Sequence, residues 1–324
     1  MPFRLRHGEP GLRVDWCHLG SVRFTEPFFD QTVNQCFRHP ADVLFQPETS
    51  MSALGELQER RAGLAPSGFI FHASRSGSTL VSQMLAALPE DVVISEAGPI
   101  DAILRSHLRE PGISEEQRVL WLRWLLNALG QRRFSAEKHF FVKFECWHVL
   151  CLGLILRAFP EVPWIFLYRD PVEVMVSHKN RMGPQMIPGV LEPALFGWNE
   201  EEVRRMRRVE YGGRVLARIL EAALEAAPTG TGKLVHYRQL PEIVWSGLLP
   251  FWKVDCAPEA LEKMAAVVQF DAKNPFLPFA DDTMVKARGV TEEIRQIARQ
   301  WLEAPYQRLE ARRLAQSADP ARAG

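Results

Sequence analysis

Downstream of residue 66 the chain repeats one pattern: a short apolar run, an amphipathic stretch with helical spacing, then another short apolar run. Phe69–Ala73, Val92–Ser95, Phe140–Phe144, Trp164–Tyr168 and Leu234–Tyr237 have the length and the aromatic and β-branched content of strands buried on both faces. Helical stretches follow the apolar runs at Leu80–Leu88, Ser114–Leu129, Val172–Arg181, Glu200–Ala227 and Thr291–Leu314. Strands separated by helices pair in parallel through helical crossovers, so the pattern predicts an α/β domain of three layers, a mostly parallel sheet flanked by helices. In the last helix Ile294, Ile297, Ala298, Trp301 and Pro305 share one face, and Pro305 is expected to kink it.

Gly, Pro and Ser at Leu64–Gly68 follow the charged run Glu56–Arg61 and mark a boundary. The reading is an N-terminal arm at 1–66, a main domain at 67–315 and a frayed tail at 316–324. Trp16–Phe37 is rich in aromatics without a clear period and is read as an irregular arm packed on the main domain, a candidate surface for a homodimer. Met182–Asn199, with three prolines and three glycines, is a long connection that reads either as a cover over substrate or as a solvated excursion.

Composition excludes several classes. A chain of 324 residues with 47% hydrophobic and 24% charged residues is neither disordered nor fibrous. Lys+Arg and Asp+Glu both number 39, so no global field draws the protein to nucleic acid or an anionic membrane, and an anion must be held locally. Met1–Val14 has no signal-like apolar stretch, and Val149–Leu156 is far shorter than the roughly 20 residues of a membrane span. A cytoplasmic protein without integral membrane association is expected. The five cysteines, Cys17, Cys36, Cys146, Cys151 and Cys256, are odd in number and never spaced C-x-x-C, which disfavours a disulfide framework or a zinc site.

The first strand of the domain runs into His72-Ala73-Ser74-Arg75-Ser76-Gly77-Ser78-Thr79, ahead of an amphipathic helix. A small-residue turn between strand and helix aims several backbone N–H groups at one point beside the positive end of the helix dipole. Ser76, Ser78 and Thr79 add hydroxyls and Arg75 a forked cation, so Ser74 to Thr79 form a candidate oxyanion site. It is not a Walker A loop, because Ser78 and not lysine precedes Thr79. A second turn follows the strand Trp164–Tyr168, where Asp170 suits a helix N-cap, Pro171 the first helical position and Glu173 a capping-box partner. Arg169 leaves that strand's end and Ser177 lies about two turns into the helix, so both can address one phosphate.

Here the residues carry a family resemblance. Arg75-Ser76-Gly77-Ser78-Thr79 resembles the 5′-phosphosulfate loop, and Arg169 with Ser177 the 3′-phosphate motif, of PAPS-dependent sulfotransferases, in the R-S-G-S form of the carbohydrate and bacterial branch. Leu234–Leu240 is similar to a late strand that often reads Y-E-D-L, with Arg238 and Gln239 in place of the acidic pair. Lys286-Ala287-Arg288-Gly289 resembles the R-K-G segment that closes over the 3′-phosphate, which makes Arg288 a candidate contact.

The resemblance, over roughly 67–314, implies a P-loop-like fold and sulfuryl transfer from PAPS, leaving adenosine 3′,5′-bisphosphate, to a hydroxyl or amine with no metal required. Arg75 then stabilises the leaving group, Lys143 neutralises the sulfuryl group, and a carboxylate takes the acceptor's proton. Glu96, after the second strand, resembles the glutamate of bacterial glycolipid sulfotransferases; Glu145 stands two residues after Lys143, where the cytosolic branch has K-T-H. The two are rival bases, Glu96 the preferred one. The acceptor is open: small molecule, glycan, lipid or peptide. A P-loop kinase-like phosphotransferase and a non-catalytic nucleotide-binding protein of the same fold are the alternatives.

Overall fold

The computed structural model describes residues 1–8, 11–226, 230–278 and 289–318. The N-terminal strands β1 (Pro2–Gly8), β2 (Gly11–Trp16) and β3 (Glu48–Ser50) form an antiparallel sheet in the order β1-β2-β3. The arm is therefore partly regular on either side of Trp16–Phe37, because alternating residues such as Leu12 and Val14 bury while Arg4 and Arg6 turn outward onto Asp15; within Trp16–Phe37, read as irregular, Phe29–Cys36 is helical. The arm packs on the main domain, with β1 against the helix Gly98–Leu104 and the helix Ser52–Arg60 against Glu115–Leu129.

The central sheet has five parallel strands, β4 (Pro66–His72), β5 (Asp91–Ser95), β6 (His139–Lys143), β7 (Trp164–Tyr168) and β8 (Gly232–His236), in the order β5-β6-β4-β7-β8. Alternate residues of each strand enter two separate cores: Phe69, Phe71, Val92, Ile94, Phe140, Val142, Trp164 and Phe166 on one face, Ile70, Val93, Phe141, Ile165 and Leu167 on the other. Both faces are covered, which is why the strands read as unbroken apolar runs. The first core is closed by the helices Glu115–Leu129 and Arg208–Ala226, the second by Ser78–Ala86 and Pro258–Val268. After β4 the chain adds β5 and β6 on one side and then crosses to add β7 and β8 on the other. A switch of direction of this kind opens a crevice at the carboxyl ends of the strands, beside β4.

The expected helix Glu200–Ala227 is two, Glu200–Arg205 and Arg208–Ala226, broken at Met206, whose backbone is extended. The first of them holds the ion pair Arg205–Glu201, and Arg207 in the break pairs with Glu293. Around Pro305, where a kink is expected, the helix is interrupted by a change of winding rather than ended. A wide π turn at Ala298–Leu302, in which the Glu303 N–H donates to the Ala298 carbonyl, joins Glu292–Ile297 to Glu303–Ala318 just ahead of the proline. That helix runs past the expected tail boundary because Gln316 caps the edge of β8, accepting from the Leu234 N–H and donating to the Gly232 carbonyl, both at 3.0 Å. The long connection 182–199 is pinned by buried Met186, Leu191 and Phe196, so it is no solvated excursion. Among the described residues no helix is long and apolar enough to cross a membrane.

Candidate active site

β4 ends at His72, and the turn behind it is conformationally demanding: Ser74 (φ 63°), Arg75 (φ 53°) and Gly77 (φ 84°) all lie in the left-handed region. Left-handed residues in a βα turn point successive N–H groups into one concavity, the backbone anion cradle expected from the small residues here. Each non-glycine in this region costs about 1–3 kcal/mol, so the surroundings must hold it. His72 does part of that: its Nδ1 accepts the Ser74 N–H at 3.1 Å, which leaves Nε2 as the donor to the Phe144 carbonyl, 3.1 Å away. Ser76 does the rest, since its fully buried hydroxyl donates to the Leu167 carbonyl at 2.9 Å. The Ser76 hydroxyl was expected to face an oxyanion; its proton instead ties the turn to β7, and its N–H remains for the cradle. Ser78 and Thr79 open the helix Ser78–Ala86 and are buried at its N-terminus.

Gly77 shows why this turn needs glycine. A β-carbon there would lie 2.4 Å from Leu240 Cδ1 and 3.2 Å from Tyr237 Cδ2, on a backbone already at positive φ. Gly77→Ala is expected to lower unfolding free energy by about 1–3 kcal/mol, checked by urea denaturation.

At the second turn Asp170 caps the helix Pro171–Asn180, accepting from Val172 N–H at 2.9 Å and Glu173 N–H at 3.1 Å. Glu173 does not close a capping box; it receives the Arg169 Nε–H at 2.5 Å, because an adjacent buried guanidinium is the stronger donor. Arg169 is 5% exposed, and its guanidinium carbon lies 4.0 Å from the centre of the Tyr237 ring. The same ring lies beside Gly77, 3.2 Å from where a β-carbon would stand, so one aromatic side chain borders both motifs at a single sheet edge. A second link runs from Arg75, which donates to the carbonyl of Arg181 at the end of the helix that carries Ser177. Ser177 is half-buried on that helix. Arg288, with Lys286 and Ala287, lies outside the described residues.

The two glutamates read as rivals sit together. Parallel register sets Ser95 beside Lys143, so the residues that follow are neighbours, and the Glu96 N–H donates to the Lys143 carbonyl at 2.8 Å. Glu96 is held at positive φ (56°), a strained conformation that brings its carboxylate into an ion pair with Lys143, which is fully buried. His72 Nε2 stands 3.4 Å from the same carboxylate oxygen. Burial would raise the Glu96 carboxyl, but the Lys143 charge and the His72 and Lys143 hydrogen bonds reverse this and hold it well below the usual range. Glu145 is pushed the other way, by burial first and then by the charge of Glu96, against the opposing pull of Lys143. Of the two, Glu96 is therefore the carboxyl that gives up its proton more readily and Glu145 the one that holds it more tightly. The Glu145 backbone is fixed by His148, whose Nδ1 accepts its N–H at 3.2 Å and whose Nε2 bonds Asp101 at 2.9 Å.

Reading the sequence missed four groups around this centre: His72, Phe28, Arg181 and Lys273. His72 ends a strand next to the motif, so its position was a signal. Phe28 comes from the arm, its ring centre 5.1 Å from Lys143 Nζ and 5.9 Å from Lys273 Nζ. Lys273 comes from the turn of a hairpin, β9 (Phe270–Asp271) with β10 (Asn274–Pro278), more than 170 residues beyond the cradle. No local pattern ties either residue to the loop.

An oxyanion cradle after β4, with a buried second cation after β7 on one side and a lysine–carboxylate pair at the ends of β5 and β6 on the other, can hold an anionic donor at two points and move a proton beside it. A model of the sulfotransferase family matches residues 66–241, more than half of the chain and all of the segment just described except the arm and the hairpin. No curated protein sequence matches. Solved structures similar to the chain include the sulfotransferase domain from the curacin biosynthetic pathway, at 16% identity and TM-score 0.44, covering 74% of this chain and 98% of that one. The sulfotransferase domain of the Synechococcus PCC 7002 olefin synthase is similar at 16% identity and TM-score 0.45, covering 78% and 95%. A sulfotransferase from Alicyclobacillus acidocaldarius is similar at 14% identity and TM-score 0.46, covering 77% and 96%. On the family match the chain belongs to the sulfotransferase family and is an enzyme of sulfuryl transfer.

Proposed function

We propose that this sulfotransferase takes its sulfuryl group from PAPS and passes it to a hydroxyl or amine of its acceptor, with Glu96 as general base. The observation that carries the reading is that two anion-binding motifs share one sheet edge, both bordered by Tyr237, with the Lys143–Glu96 pair beside the first. The N–H groups from Ser74 to Thr79, the Ser78 and Thr79 hydroxyls and Arg75 would hold the 5′-phosphosulfate. Arg169 and Ser177 would hold the 3′-phosphate. When bound, the donor supplies a sulfuryl group attached to a phosphate leaving group.

The chain's own residues do the rest. Arg75 and the cradle N–H groups oppose the negative charge that grows on the bridging oxygen as the bond to sulfur breaks. Lys143 offers its ammonium to the sulfuryl oxygens. In doing so it relaxes its hold on Glu96, whose affinity for a proton rises as the depressing charge turns elsewhere. Glu96 is then ionised and basic at the moment an acceptor proton must be taken. Glu145, its carboxyl held high by burial and by the charge of Glu96, resists adding a second negative charge to the site.

The test is transfer of ³⁵S from labelled PAPS to a panel of sugars, phenols, lipids and amines. A labelled sulfate ester or sulfamate formed in step with adenosine 3′,5′-bisphosphate supports the reading. Failure with every acceptor, together with phosphoryl transfer from ATP, would overturn it.

A further inference from the structure

We propose that Lys273, at the turn of the β9–β10 hairpin, contacts the sulfuryl end of the donor and works with Lys143 across the Phe28 ring. The proposal rests on the PAPS reading above.

Three observations lead to it. The first is geometric: Phe28 lies within 5.1 Å of Lys143 Nζ and 5.9 Å of Lys273 Nζ, so both ammonium groups share one ring. The ring is held from behind, because the Phe28 N–H donates to Gln31 Oε1 at 3.1 Å and Phe29 is 1% exposed in the core. The second concerns the hairpin. Phe270, Asp271, Asn274 and Phe276 are exposed, whereas Lys273 is half-buried and turned inward. Asp271 Oδ1 accepts the N–H groups of Lys273 and Asn274, each at 2.9 Å, which fixes the turn that delivers the lysine.

The third is charge. Lys273 faces Arg75, Lys143, Arg181 and Glu96. Burial first, and then neighbouring cations that include Lys273, lower the basicity of His72 and His178, so both histidines lie within reach of its charge. Glu96 is the one anion in this set and is already paired with Lys143. Among the described residues no carboxylate lies within ion-pair distance of Arg75, Arg181 or Lys273. Burial, then the charges of Arg75 and Lys143, push the Lys273 ammonium down to about 8, and Arg75 is likewise depressed by burial and by Arg181. Like charges kept together at a site edge repel unless an anion joins them. The neighbours of Lys273 are those of the transfer centre, not Arg169 and Ser177, which assigns the anion to the sulfuryl end rather than the 3′-phosphate.

The same geometry sets a pH dependence. Lys273 is charged below about pH 8 and loses its proton above it, so affinity for an anion at this position falls as pH rises through that value. The other cations of the set are guanidinium groups or the paired Lys143, and the bordering histidines are neutral throughout that range.

Calorimetry on the full chain with PAPS and with adenosine 3′,5′-bisphosphate, in the absence of acceptor, tests the proposal. For Lys273→Gln the expected result is a PAPS Kd about 10- to 100-fold higher, with the bisphosphate Kd changed less than about threefold. Lys273→Arg should restore PAPS binding and remove the loss of affinity above pH 8. Equal loss for both nucleotides would give Lys273 a general structural role, and no loss for either would make it a bystander; both outcomes overturn the proposal while leaving the donor reading intact. Failure of the unaltered protein to bind either nucleotide would sink the donor reading, and this proposal with it.

Discussion

Glu96→Gln should lower the rate of sulfuryl transfer by about 10²- to 10⁴-fold, the contribution of a positioned general base, while donor affinity shifts less than about threefold. The substitution keeps the shape of the side chain and removes its capacity to take a proton. It also takes the partner carboxylate from Lys143, a fully buried ammonium, and an uncompensated buried charge costs about 3–5 kcal/mol. Glu145 limits that cost. Its carboxyl is held high by burial and by the charge of Glu96, so once that charge is gone it can ionise and face Lys143 in its place. Glu145→Gln should by contrast cost no more than about tenfold in rate, because burial and the charge of Glu96 already disfavour a charged Glu145 and glutamine keeps its shape without the charge. Rapid-quench measurement with a working acceptor separates the two. Equal loss in both variants, or a larger loss at Glu145, would move the base to Glu145.

The second large effect is at Arg169. Arg169→Ala should raise the Kd for adenosine 3′,5′-bisphosphate about 100-fold or more, while ATP binding, which has no 3′-phosphate to lose, stays within about threefold. Arg169 is buried, stacked 4.0 Å over Tyr237 and paired with Glu173, so its fork is oriented before any ligand arrives. That preorganisation is why a single side chain is expected to matter so much. Arg169→Lys should recover charge but not the fork, and so remain about tenfold weak. A bisphosphate affinity indifferent to both substitutions would remove Arg169 from the nucleotide site.

How much of this was legible in the sequence depended on how local each feature is. The central strands were visible because both faces are buried, which turns period-two alternation into solid apolar runs such as Trp164–Tyr168. The cradle and the Arg169 turn were visible because a strand end, a small-residue turn and a helix start are contiguous in sequence. The N-terminal sheet was missed although Phe3-Arg4-Leu5-Arg6 and Leu12-Arg13-Val14 do alternate; the runs are short and their charged partners lower the apolar signal of each strand. Pro305 was read from its own chemistry alone, and the π turn lies in the residues before it.

The proposed catalytic centre was the harder case. Glu96 and Glu145 looked like competitors because they are 49 positions apart, and only the register of two parallel strands makes them one coupled pair around Lys143. Phe28 and Lys273 come from opposite ends of the chain and carry no motif. Their part in the site is decided by how the arm and the hairpin dock, which no local window contains.

The central claim is that this sheet edge accepts a nucleotide with anions at both its 5′ and 3′ positions. Isothermal titration of the protein with adenosine 3′,5′-bisphosphate, with ATP as comparator, tests it most directly. Tight one-to-one binding of the bisphosphate and weak binding of ATP are the predicted result. Equal affinity for the two, or a preference for ATP, would contradict the account and return the cradle to a kinase-like or non-catalytic role.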